Sequence, residues 1–219
     1  VIGLLALAAV ASAAPWADAA VRADNGYGCM DTKWKYCQSR FNDAIGVNTT
    51  LDWHDADQIL LQIRTFTEGN RSTLMQVCNY YTQFYQCLGT QYDACVSLFT
   101  LMGKGSATFY TAYTYVNTYS ALGFLCGSGY EEAMRQFDCL IASERTDAYL
   151  KCYSSFVMTL EKNPAAMCDL VGPTADCLGA DYRATCTIDP NAAAWFGCEM
   201  FRSTFDNTCD LTHRCAAQI

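Results

Sequence analysis

Fourteen cysteines in a chain of 219 residues, none of them in a C-x-x-C pair, constrain this chain more than any other feature. The closest two, Cys209 and Cys215, have five residues between them. That spacing argues against a zinc ribbon or a thioredoxin-type redox site and leaves an even set for up to seven disulfides, the framework of a protein made in an oxidising compartment. The set is Cys29, Cys37, Cys78, Cys87, Cys95, Cys126, Cys139, Cys152, Cys168, Cys177, Cys186, Cys198, Cys209 and Cys215.

The residues around the cysteines follow a helical period. Met30, Trp34, Cys37, Phe41 and Ile45 fall on one stripe. A second stripe is Ala56, Ile59, Leu60, Ile63 and Phe66, opened by Thr50 or Asp52 and closed at Gly69; a third, starting after Ser72 and stopped by Gly89, is Leu74, Val77, Cys78, Tyr81, Phe84 and Leu88. Helices are expected over Tyr92 to Met102, ending at Gly103, and over Thr108 to Leu125. A capping box at Ser128 and Glu131 opens the next, and another carries Tyr149 to Leu160 and ends before Pro164. Pro173 suits the first turn of a further helix, and Asn191 the cap of the last. The fold class is all-α, a disulfide-stapled bundle of roughly seven to nine short helices.

Cys78 and Cys87 are nine positions apart, about 13 Å along one helix, against a ceiling of about 7 Å between the Cα atoms of a disulfide. They cannot pair with each other, and the same logic separates Cys139 from Cys152. Each must tie its helix to a neighbour; the remaining pairing stays open among roughly 10⁵ possibilities. Cys78, Cys87-Leu88-Gly89, Tyr92, Ala94 and Cys95 are echoed by Cys168, Cys177-Leu178-Gly179, Tyr182, Ala184 and Cys186, so residues 29–219 read as one cysteine-rich domain or as a degenerate duplication of two modules.

Residues 1–13, VIGLLALAAVASA, read as the apolar part of a secretory signal peptide ending in a small-x-small cleavage pattern, with residues 14–28 a flexible segment. Val1 is preceded by neither Met nor a basic leader, so the sequence is expected to begin inside a longer precursor. The expected location is extracellular. Asn48-Thr49-Thr50 and Asn70-Arg71-Ser72 are glycosylation sequons. After residue 13 no apolar run reaches the length of a membrane span, and a net charge of −8 with scattered cations argues against nucleic acid as a partner.

The spacings Cys29-x7-Cys37, Cys78-x8-Cys87-x7-Cys95, Cys126-x12-Cys139-x12-Cys152 and Cys168-x8-Cys177-x8-Cys186, with Cys126-Gly127 opening an acidic helix, give the chain a resemblance over residues 29 to about 215. It resembles the secreted cysteine-rich helical family, expanded in nematodes, known as domain of unknown function nineteen. The resemblance implies extracellular residence and carries over no functional residues.

With only two histidines, His54 and His213, the chain has no H-E-x-x-H, nucleophile elbow or phosphate loop. His54-Asp55, with Tyr27-Gly28-Cys29 upstream, is the one pairing similar to a secreted phospholipase site, but the paired cysteine and further glycines of that motif are missing. Asp52, Asp55 and Asp57 are otherwise first-turn charges favoured by the helix dipole, and His213 reads as a solvated surface residue. No catalytic residue, metal or cofactor is expected. The feature that calls for a function lies between Gly105 and Tyr130, which contains no charged residue. Phe109, Tyr110, Tyr113, Tyr115 and Tyr119 form either an interaction face or pocket lining, or the flanks of a helix buried on several sides. The expected function is non-catalytic binding of an extracellular protein or a small apolar ligand. The alternatives are a structural role in an extracellular or mineralised matrix and, third, a phospholipase-like hydrolase.

Overall fold

A computed structural model describes residues 28–105 and 108–215, so the signal-peptide reading of residues 1–13 and nearly all of the 14–28 segment lie outside the described residues. Among the described residues the regular elements are helical and no strand occurs. The α-helices are α1 (Asp31–Ile45), α2 (Ala56–Thr67), α3 (Arg71–Leu88), α4 (Tyr92–Cys95), α5 (Leu98–Gly103), α6 (Phe109–Leu125), α7 (Tyr130–Ser143), α8 (Asp147–Lys162), α9 (Met167–Thr185) and α10 (Pro190–Arg202). None is long and apolar enough to cross a membrane.

The stripes are buried as the period requires. Trp34, Cys37, Phe41 and Ile45 of α1 pack with Leu74, Val77, Phe84 and Leu88 of α3 in one core. Met30 departs from its stripe: it is the extended residue before α1 and is 58% exposed. Several helix boundaries also differ from the sequence reading, each for a local reason. Asn70, whose side chain accepts from the Ser72 and Thr73 amides, caps α3 in place of Ser72. Tyr92 to Gly103 breaks into α4 and α5 where Ser97, in extended backbone, caps the second piece. Gly129 precedes α7 without any side-chain cap, so the Ser128 box does not form. Pro173 lies inside α9, which begins six residues earlier at Met167. Asp189, accepting from the Ala192 amide, caps α10 with Pro190 in its first turn, so Asn191 is inside the helix.

Seven disulfides leave no free cysteine. Cys78 bonds Cys126 and Cys87 bonds Cys37, while Cys139 bonds Cys186 and Cys152 bonds Cys177, as the helix-length argument requires. Taken in chain order, the first six cysteines pair first with fifth (Cys29–Cys95), second with fourth (Cys37–Cys87) and third with sixth (Cys78–Cys126). Cys139, Cys152, Cys168, Cys177, Cys186 and Cys209 repeat that order: Cys139–Cys186, Cys152–Cys177 and Cys168–Cys209. Cys198–Cys215 is the bridge outside the scheme.

Two hydrophobic cores result. The larger is built mainly from α1 to α7 and takes in Tyr182 of α9 and Ala193 and Phe196 of α10; the smaller gathers Phe156 of α8, Val171 and Leu178 of α9, Phe201 of α10 and Phe205 just beyond it. Helices α9 and α10 share the most extensive helix–helix contact, and Gly179 lets their chains approach: a β-carbon there would stand 2.8 Å from the Ala194 carbonyl oxygen. Gln136, at a kink in α7, donates to the Asp189 carbonyl and accepts from the Asp189 amide, fastening α7 to the start of α10.

Candidate functional site

Helix α6 separates two environments. Toward α1 and α3 it presents Tyr115 and Tyr119, both essentially inaccessible. Their phenols could not be buried alone, and each is partnered. Trp34 Nε1 donates to Tyr115 Oη at 2.8 Å, Tyr115 Oη donates to Gln38 Oε1 at 2.6 Å, and Gln38 Nε2 donates to Tyr119 Oη at 2.7 Å. Gln38 Nε2 also reaches Asn42 Oδ1, and Asn42 Nδ2 is spent on the Leu51 and Asn48 carbonyls. Burial, reinforced by the neighbouring Tyr119 phenol, pushes Tyr115 well above its usual range, so it remains a neutral hydroxyl. This side is core, and neither tyrosine belongs to a surface face.

The other side of α6 lines a cavity of about 250 Å³ at the seam between the two cores. Its apolar wall includes Ile63 and Leu74, Leu122 and Leu125, Phe137 and Leu140, and Leu178 and Phe201. Tyr113, half-buried, and Tyr110, 42% exposed, line it from α6; Phe109 stacks on Tyr113 and is not itself in the lining. Asn117 Nδ2 donates to Tyr113 Oη at 2.9 Å, and burial raises the Tyr113 phenol well above its ordinary value. From α8 and α9 come Tyr149, Tyr153 and Tyr182. The uncharged tyrosine segment therefore divides: Tyr110 and Tyr113 meet the cavity, while Tyr115 and Tyr119 do not.

The polar end of the cavity holds Glu144, which follows the last turn of α7. Protein surrounds the carboxyl, and the residue, only partly accessible, lines the cavity. Tyr182 Oη donates to Glu144 Oε1 at 3.3 Å. Burial, reinforced by the negative charge of Glu68 and opposed by Arg64, pushes Glu144 up to about 7. Its place at a helix C-terminus, the negative end of the dipole, acts in the same direction. Arg64 of α2 and Glu68, which caps the C-terminus of that helix, also line the cavity and pair at 3.8 Å, while Arg145 reaches Glu68 from outside at 3.7 Å.

Gly197 fixes this end. A β-carbon there would run into the Tyr182 ring, so glycine is what allows α10 to pass the tyrosine that holds Glu144. Of these residues, Glu144, Arg64, Tyr149, Tyr153 and Tyr182 are absent from the sequence-derived candidates. One signal for Glu144 was available: it lies four residues after Leu140 and three after Ile141, a carboxylate continuing the apolar stripe of its own helix.

The histidines sit elsewhere. His54 Nδ1 lies 2.6 Å from Asp52 Oδ1, beside the Trp53 ring, in a second recess of about 280 Å³ with Asp31, Lys35 and Lys104, whose lining is mostly charged or polar. Asp55 accepts from the Asp52 amide in a capping box, so the adjacent His54-Asp55 pair is not brought together as a unit. His213 departs from the expectation of a solvated side chain: it packs against Gly172, and Nε2 lies 3.2 Å from Asp176 Oδ1. Among the described residues, His213 with Cys198 and Cys215 is the one cluster at metal-ligand spacing, and the two sulfurs are joined as a disulfide, which leaves no thiolate there.

Both sequon asparagines are exposed. Asn48 Oδ1 accepts from the Thr50 amide and hydroxyl at 3.0 and 2.9 Å, and Asn70 Oδ1 is taken by its helix cap. Comparison with family models, with curated proteins and with solved structures finds no match to this chain.

Proposed function

We propose that the chain is a secreted, non-catalytic binding protein whose cavity takes a small ligand with an apolar body. The observation that carries this reading is the cavity of about 250 Å³ at the seam of two otherwise packed cores. The space opens to solvent on one side, and its aliphatic and aromatic walls are surface that a bound apolar group would cover. A chain held by seven disulfides can keep such a space open, and its mixture of aliphatic walls with tyrosines and one enclosed carboxyl is the composition of a ligand site. Seven disulfides without a free thiol fit an oxidising, extracellular setting, and the exposed Asn48 and Asn70 are open to glycosylation. The repeated bridge order supports reading the chain as two degenerate modules, with the site between them.

The test is a fluorescence titration of the full chain with N-phenyl-1-naphthylamine, which is neutral at pH 7. One saturable site is expected, and Ala121→Trp, which fills the cavity from α6, should abolish it while leaving the circular dichroism unchanged. A wild-type protein without a saturable signal, or a folded Ala121→Trp protein that binds normally, contradicts the reading.

A further inference from the structure

We infer that the ligand of this cavity is an amphipathic amine, an apolar body bearing one protonated nitrogen that is placed against Glu144 beside Tyr149 and Tyr182. The inference rests on the ligand-cavity reading and adds the chemical class. It follows from how the charges at the polar end are already committed. Arg64 and Arg145 share one carboxylate, Glu68, whereas Glu144 has a phenol for its partner, Tyr182. Arg64 and Arg145 act on Glu144 from farther away, but among the described residues no cation stands within ion-pair distance of its carboxyl, so the position next to it is open to one. An ammonium group there supplies Glu144 with a charge-assisted hydrogen bond. Tyrosine rings contribute a second attraction for a cation, through the negative potential of their faces, that they do not offer to a carboxylate. The net charge of −8 favours approach of the same class of ligand.

The groups facing Glu144 are Arg64 from α2, Glu68 at the cap of that helix, Arg145 beside it, Tyr149 from α8 and Tyr182 from α9. Because Glu144 is held near neutrality when alone, an arriving ammonium favours loss of its proton, and amine binding is coupled to proton release.

Octylamine, octanol and octanoate share one tail and differ in the head, so isothermal titration of the full chain with each separates the head-group classes. Octylamine is expected to bind most tightly, to gain affinity as the pH rises from about 6 to about 8, and to release a proton visible as a buffer-dependent enthalpy. Glu144→Gln should weaken octylamine by roughly tenfold or more and octanol by less than about twofold. Glu144→Asp, which keeps the charge, should retain preference for the amine, and the wild-type pH profile and proton release need no variant at all. Octylamine binding no better than octanol, or indifferent to Glu144→Gln, overturns the inference. Octanoate binding best, and better toward acid pH, overturns it in favour of Arg64 as anchor while leaving the cavity reading intact. If none of the three binds, the cavity reading itself falls.

Discussion

The two faces of α6 carry the same residue type and do opposite things with it. On the face toward α1, Tyr115 and Tyr119 are buried and their hydroxyls are closed into a network with Trp34 and Gln38. On the face toward α9, Tyr110 and Tyr113 border an open cavity whose enclosed carboxyl, Glu144, has only a phenol as partner. A tyrosine is therefore structural or available according to whether the opposing helix supplies a matching acceptor and donor. Gln38 does so for one face. The other is met by Leu178 and Phe201, which offer neither.

The difference between the two faces is open to test by perturbations of decreasing size. Full reduction should erase both faces at once, because bridges typically contribute about 2–4 kcal/mol each and the cavity adds nothing to cohesion. The expected outcome is loss of cooperative thermal unfolding by circular dichroism; a reduced protein with the same melting temperature would contradict it. Next in size, Tyr119→Ala on the packed face should cost about 3–5 kcal/mol in denaturant unfolding, through the cavity it leaves and the Gln38 network it opens. The same truncation at Tyr113 should cost clearly less.

The third effect sharpens the difference through pH. Glu144 has a folded value near 7, above the ordinary carboxyl value of 4.5, so the folded state holds the extra proton between those limits. Its contribution to stability is fully present below about 4.5 and is lost as the pH rises through about 7, by roughly 3 kcal/mol at most. Glu144→Gln should remove that slope, so unfolding curves of the two proteins should diverge toward alkaline pH with the variant the more stable. Smallest are the hydroxyl deletions. Tyr115→Phe, which strands the buried Trp34 and Gln38 groups, should cost about 1–3 kcal/mol, and Tyr113→Phe less than about 1 kcal/mol. Equal costs would mean that the two faces do not differ as described.

Much of the frame is legible in the sequence, because helical period and disulfide geometry are local constraints. The stripe Leu74, Val77, Cys78, Tyr81, Phe84 and Leu88 is buried throughout, and the length of α3 keeps Cys78 from Cys87. The boundaries that differ, such as Pro173 within α9 and Asp189 rather than Asn191 as a cap, depend on which of several eligible residues the neighbouring chain positions. The site is legible only by half. An uncharged run of tyrosines marks α6 as unusual, but which face is dry depends on Gln38, some 77 residues from Tyr115. Likewise the partners of Tyr113 around the cavity come from α2, α8, α9 and α10, whose register against α6 is set by folding rather than by any local pattern. His213 shows the same limit, since Asp176 and Gly172 reach it only through the turn back from α10.

The most direct measurement is a crystal structure of the oxidised chain under xenon, an apolar atom that enters dry cavities and gives an anomalous signal. The account predicts a xenon peak between Leu74, Leu122 and Leu178 on the Tyr113 side of α6 and none between α6 and α1 around Tyr115. Rearranged side chains filling the space beside Tyr113, with no xenon there, would contradict it.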